Sequence, residues 1–244
     1  YSMVHSRLEQ DNRVAYAIAG IAIAAGIYAV LVNLHFLPGT ETLAENVMYG
    51  SIALIIGFVI YGFITHNSEE FGRTVVLMIL ILSTVVFWAL FEQSAGSMTL
   101  YADRVVDRTV GNIEFTASQF GSLNAGFIMT LALPFAALWI WLSKRNIEPS
   151  TPVKFGLGIM QAGLGFGALV FGAQFPNEAG QVAMIWLVLA YLLHTTGELC
   201  LSPVGLSAVT KLSIHQVVGV SMGTWFLATA LSETVATRIG KMAA

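Results

Sequence analysis

Long apolar runs alternate with short polar stretches along the chain, and seven of the runs are long enough to cross a bilayer. A hydrocarbon core about 30 Å thick takes about 20 apolar residues per helix, because every backbone polar group must be satisfied inside the segment. The first run, Val14 to Leu37, and the second, Val47 to Thr65, contain no Asp, Glu, Lys or Arg; LPGTETLAEN joins them, which predicts a plain helical hairpin. After HNSEEFGR the third run extends from Thr74 to about Ala102, apolar at first and then interrupted by Glu92 and Gln93. The fourth, from about Phe115 to Ser143, contains Asn124 and Pro134. The fifth, Val153 to Phe175, carries Gly156, Gly158, Gly163, Gly165, Gly167 and Gly172, a composition suited to close helix packing in lipid. The sixth runs from Val182 to about Leu212, and the seventh from Val217 to about Ile239.

Composition agrees with this reading: 56% of residues are hydrophobic and 10% charged, against roughly 25% charged in soluble domains. The chain reads as an all-α integral membrane protein. A net charge of −3 and the lack of any basic stretch interleaved with aromatics exclude a nucleic-acid surface. The single cysteine, Cys200, excludes an internal disulfide and a multi-cysteine metal site, and reads as a small buried residue. Lys and Arg divide unevenly between alternate loops. Arg7, Arg13, Arg73, Lys144, Arg145, Lys154 and Lys211 fall on one side, and Arg104, Arg108, Arg238 and Lys241 on the other. That bias predicts a cytoplasmic N-terminus and an extracytoplasmic loop from Asp103 to Glu114.

Polar residues inside the runs mark the candidate chemistry. A charge at the bilayer centre costs at least about 2.5 to 3.5 kcal/mol on insertion scales, so it faces a cavity or a partner. In the sixth run Tyr191, Thr195, Glu198 and Ser202 are spaced by four, three and four, which places them on one helical face. Pro203 cannot donate to the carbonyl of Leu199, and Gly205 follows; the helix is expected to bend or unwind beside Glu198. Glu198 serves either as a binding site that moves or as one half of an interhelical ion pair, and the interiors of the runs supply no Lys or Arg for the latter, the basic residues Lys154, Lys211 and Arg238 lying at run ends. His194 lies one turn before Glu198, but a third ligand at metal-binding spacing is missing. Trp88 and Glu92 are four apart in the third run, as one wall of a pocket for a cationic or amphipathic ligand; an interfacial belt is the alternative for Trp88. Asn124 offers a donor and an acceptor deep in the fourth run, for a ligand or for an interhelical hydrogen bond. Trp225 in the seventh suits core packing and a pocket wall equally, and Glu233 is left unassigned.

Four stretches, FWALFEQSAGSMTLYADR, SLNAGFI, GELCLSPVGLS and SMGTWFLATAL, occur in this order at separations that resemble those of the proton-coupled oligopeptide transporters, the POT or PTR family of the major facilitator superfamily. The resemblance implies that residues 71–244 are the first five helices of a C-terminal six-helix bundle. Residues 1–70 resemble the helix pair that bacterial members insert between their halves. Glu198 and Asn124 would then bind the amino end of a peptide, with Glu198 alternating between substrate, proton and a lysine of the N-terminal half. Trp88, Ser202 and Trp225 would line the pocket, Glu92 and Asp103 would pair with arginines across an extracellular gate, and Pro203 with Gly205 would form a hinge. At Gly121 and Ala125 the chain departs from many members, which have Gln and Pro there.

The family's E-x-x-E-R-F-x-Y-Y motif, its first six helices and its twelfth have no match in these residues, so the resemblance implies part of a transporter whose N-terminal half is its partner. The expected activity is proton-driven symport of di- and tripeptides in a bacterial inner membrane, powered by the proton gradient with no cofactor and no metal. A carboxylate at the site argues for an amino group in the substrate. The rival readings are a transporter of the same superfamily for nitrate, a drug or another small solute, and a non-transporting membrane scaffold. Neither H-E-x-x-H nor G-x-S-x-G occurs, and no enzymatic activity is expected.

Overall fold

Two long helices meeting at glycines organise the part of the chain that carries the site. The computed structural model describes residues 49, 50, 52, 53, 56, 57, 68–213 and 218–243. The hairpin expected in residues 1–70 falls almost entirely outside them. The chain divides into two compact units, Tyr1–Tyr61 and Gly62–Ala244, and every candidate site residue belongs to the second.

Helix α1 spans Ser68–Phe91 and passes through a 3-10 turn, Glu92–Ser94, to the short helix α2, Ser97–Arg104. The expected interruption at Glu92 is thus a change of helix type. Side chains satisfy the backbone there: Gln93 Nε2 donates to the carbonyls of Ala89 at 3.3 Å and Ala236 at 2.8 Å, and Ser97 donates to Gln93 Oε1. Three short strands follow: β1 Val106–Asp107, β2 Thr109–Val110 and β3 Ile113–Glu114. Strands β2 and β3 form a small antiparallel hairpin, with Gly111 at φ 62 in its turn. A second 3-10 turn, Ala117–Gly121, opens on a capping box between Thr116 and Gln119 and leads into α3, Ser122–Lys144.

Helix α3 ends at a left-handed residue, Asn146 at φ 55. The amides of Asn146 and Ile147 return to the carbonyls of Ser143 at 3.0 Å and Leu142 at 3.1 Å, a Schellman closure. Helix α4, Thr151–Gly172, has a proline in its first turn, where no amide donor is needed. Strand β4, Val182–Ala183, pairs in parallel with β1, and α5, Ile185–Leu212, and α6, Val218–Ala243, complete the described chain.

Four stretches among the described residues are long and apolar enough to cross a membrane: Gly72–Arg104, Ala117–Lys144, Thr151–Gly172 and Ile185–Leu212. Helix α6 has the length, 26 residues, but is less apolar. The expected unwinding at Pro203 is absent: α5 is helical from Ile185 to Leu212 with Pro203 inside it. One missing amide removes one bond of the ladder, and the bonds on either side hold the helix.

The closest packing is between α4 and α5. A Cβ added at Gly158 would lie 2.9 Å from the carbonyl oxygen of Gly197, and one added at Gly197 would lie 2.8 Å from that of Gly158. Gly165 and Gly172, each seven residues further on, receive the rings of His194 and Trp186. Gly156, Gly163 and Gly167 face open space, so one stripe of the glycine-rich helix makes the contact. Helix α6 packs on α1, and α3 packs on α5 and buries none of its residues. At the end bearing the strands, Met98, Val106, Phe120, Leu169, Leu187 and Tyr191 belong to one buried cluster. At the start of α4, Lys154 is 5% exposed; its ammonium bonds Glu148 at 2.5 Å and lies 4.3 Å from the Trp139 ring centroid.

Candidate functional site

Asn124 stands in the first turn of α3, and the packing of that helix on α5 carries its amide to Glu198. Asn124 Nδ2 donates to Glu198 Oε2 at 3.0 Å and to Thr195 Oγ1 at 3.1 Å. The Thr195 hydroxyl in turn donates to the carbonyl of Tyr191 at 2.8 Å, so its remaining lone pair points to Asn124. Both protons of the Asn124 amide are spent, one on the carboxylate and one on the hydroxyl. Two of the residues singled out in the sequence meet directly, and a third member of the stripe fixes their geometry.

Glu198 is half-buried, and among the described residues neither it nor Glu92 has an ion-pair partner. An ionised carboxylate out of water is costly unless a cation faces it. Glu198 thus stands as a half-buried carboxylate with one amide donor and no facing cation among the described residues.

The other predicted residues take varied places. Trp88 is half-buried, edge-on to Phe87 at 5.4 Å and to Phe91 at 5.2 Å between centroids. Phe87 itself lies against Gly197, the residue before Glu198. Ser202 and Pro203 follow on α5 one turn beyond Glu198, half-buried and exposed respectively.

Trp225, expected to line the pocket, is 6% exposed and wedged between helices. Its ring is edge-on to Phe155 at 6.3 Å, and a Cβ on Gly205 would strike it at 2.2 Å. Packing consumes this side chain, and Gly205 is the notch that admits it.

Glu92 lines a cleft of about 520 Å³ with Gln93, Ser97, Leu100, Glu233 and Lys241. No local pattern in the sequence places Glu233 there; only the tertiary approach of α6 to α1 does so. Asp103 sits elsewhere, exposed, with its carboxylate 3.5 Å from the Arg108 guanidinium, which also reaches Glu114 at 3.7 Å. A cation of its own loop thus already serves Asp103.

His194 is 1% exposed; its Nε2–H donates to the carbonyl of Ala162 at 3.0 Å, and its ring lies 6.1 Å from that of Phe91 and 5.0 Å from that of Phe166. Cys200 is buried, with the Gln161 amide 3.5 Å from its sulfur.

Residues 7–244 match the model of the POT family, PTR2. The chain is 40% identical over 221 residues to an uncharacterized transporter, YclF, of Bacillus subtilis, covering 88% of this chain and 44% of that protein. It is 38% identical over 236 residues to the peptide transporter YePEPT of Yersinia enterocolitica, covering 95% of this chain and 46% of that protein. Among solved structures, a mutant of a peptide transporter POT in complex with alafosfalin superposes with a TM-score of 0.76 at 33% identity, covering 93% of this chain and 46% of the other. The chain spans less than half the length of these relatives.

Proposed function

The chain belongs to the POT family, a family of transporters and not of enzymes, and on that premise we propose that the whole protein is a proton-driven symporter of di- and tripeptides. It is a multi-pass membrane protein with the helical fold of the peptide transporters it resembles. The observation that supports the substrate class is the bond from Asn124 to Glu198, a half-buried carboxylate without a cation of its own among the described residues. The ammonium end of a peptide supplies that cation, and the Asn124 carbonyl oxygen supplies a second acceptor. When the site empties, a proton or a lysine of the N-terminal half neutralises Glu198, which links proton movement to peptide movement.

In this reading Trp88 and Ser202 flank the peptide, and Trp225 supports the pocket from behind. Glu92 faces the N-terminal half and closes the outer gate by pairing with an arginine; Asp103, already engaged by Arg108, adds less. Pro203 gives α5 one weak rung where the helix flexes during alternating access. Residues 1–70 form the inserted helix pair, the N-terminus of this segment is cytoplasmic, and the membrane is a bacterial inner membrane.

A comparison of dialanine, free alanine and nitrate binding to the purified full-length protein tests the reading. Saturable binding of dialanine with neither alanine nor nitrate competing is expected. Preference for nitrate would replace it with an anion transporter.

A further inference from the structure

Tyr191 is the one member of the α5 stripe to which peptide and proton binding give no task. It is 1% exposed, and its hydroxyl leaves the helix to donate to the carbonyl of Ser94 at 3.0 Å. Ser94 closes the 3-10 turn that begins with Glu92. The backbone carbonyl of the same tyrosine accepts the Thr195 hydroxyl, which accepts from Asn124, which holds Glu198. One residue is therefore bonded through its main chain to the proposed peptide and proton site, and through its phenol to the turn that carries the proposed gate. One turn further along α5, His194 lies beside Phe91, the residue immediately before Glu92.

The geometry of the turn makes this tie consequential. Between Phe91 and Ser97 the α-helical ladder lapses, and side chains cap the freed carbonyls: Gln93 reaches Ala89, while Ser94 accepts from both Tyr191 and Thr99, the latter at 2.9 Å. Thr99 belongs to the helix that continues from the turn, so its bond moves with the turn. Tyr191 belongs to α5, so its bond does not. The turn is thus tied to α5 by Tyr191 and to α6 by Gln93, which donates to the Ala236 carbonyl at 2.8 Å, so a shift of α5 against α6 changes the direction of the junction.

We propose that Tyr191 is a positioning residue that ties the Glu92 turn to α5, so that the exchange of proton and peptide at Glu198 resets the gate. The proposal rests on the peptide-symport reading and adds to it the route by which the site reaches the gate. Tyr191→Phe keeps the ring in its packing and removes only the hydroxyl, which cuts the tie and leaves the binding groups in place. Thr99→Ala removes the other donor to the same carbonyl and leaves the tie.

The test uses the full-length protein in proteoliposomes, with Cys200→Ser and a reporter Ala95→Cys on the exposed side of the turn. Three readouts are taken: dialanine counterflow without a gradient, concentrative uptake under an inward proton gradient, and thiol labelling at position 95 with and without dialanine. Tyr191→Phe should leave counterflow within about twofold of the parent, lower concentrative uptake roughly 3- to 10-fold, the size of one hydrogen bond, and abolish the effect of dialanine on labelling. Thr99→Ala should retain all three. Unchanged uptake and peptide-responsive labelling in Tyr191→Phe would overturn the tie, as would an equal fall in counterflow and uptake, or the same loss in Thr99→Ala. Absence of dialanine counterflow in the parent is the separate result that rejects peptide transport itself, and the tie with it.

Discussion

The amide nitrogen of Asn124 lies 3.0 Å from Glu198 Oε2 and 3.1 Å from Thr195 Oγ1, across 74 and 71 residues of sequence. This fork holds the only carboxylate of α5 in one orientation. Asn124→Ala removes the donor from both acceptors and leaves the apolar contact of α3, which Leu123 and Phe127 make against the core. Dialanine binding by the full-length variant, measured by isothermal titration, should weaken about 10-fold or more, as expected for a hydrogen bond to a charged group. Binding within a factor of two of the parent would remove Asn124 from the site.

The glycine stripe predicts a difference between neighbours on one helix. Gly158→Ala and Gly197→Ala each push a methyl group into backbone, which cannot rotate away, and should cost about 1–3 kcal/mol. Gly163→Ala meets nothing within 4 Å and gains up to about 1 kcal/mol of helix propensity. Thermal melts of the three full-length variants in detergent should separate them into two lowered Tm values and one that is unchanged or raised.

Trp225 distinguishes packing from pocket. Trp225→Ala leaves a void against Phe155 and Gly205 and should destabilise by about 3–5 kcal/mol, visible as a large fall in Tm. A side chain that only lined the pocket would lower dialanine affinity and leave the melt in place.

The loop between α3 and α4 predicts a pH effect on stability. Hydrogen bonds, first from Lys154 and then from Ser143, hold the Glu148 carboxyl below the usual carboxylate range. A group depressed in the folded state contributes stability above its unfolded value and loses it as pH falls through the folded one. The parent should therefore melt lower in acid than at neutral pH, and Glu148→Gln should flatten that dependence. Lys154 is buried, so Glu148→Gln also strands its charge at neutral pH; the double variant Glu148→Gln with Lys154→Met should melt higher than Glu148→Gln alone.

Much of the fold was legible in the chain because membrane helices announce themselves. The interruption at Glu92, the polar face of Tyr191, Thr195 and Glu198, and the glycine-rich run all follow from residue type and spacing. Their partners do not. Asn124 and Glu198 each stood out as a polar residue in an apolar run, but only the packing of α3 on α5 shows that they touch. Nothing local marks which three of six glycines face α5, because that depends on the partner helix. The fate of Trp225 is set by the notch at Gly205, and that of Asp103 by a strand-bearing loop whose two-residue strands are too short for a period-two pattern. The unbroken helical run of α5 through Pro203 corrects the expected unwinding: a proline weakens one rung, and the flanking ladder decides whether the helix opens.

Proton coupling through Glu198 is tested most directly by dialanine uptake into proteoliposomes that hold the full-length protein under an inward proton gradient. Glu198→Gln preserves the size of the side chain and an oxygen to accept from Asn124, and removes the proton exchange. The parent should accumulate dialanine above the external concentration and Glu198→Gln should not. Accumulation by Glu198→Gln equal to that of the parent would contradict the assignment.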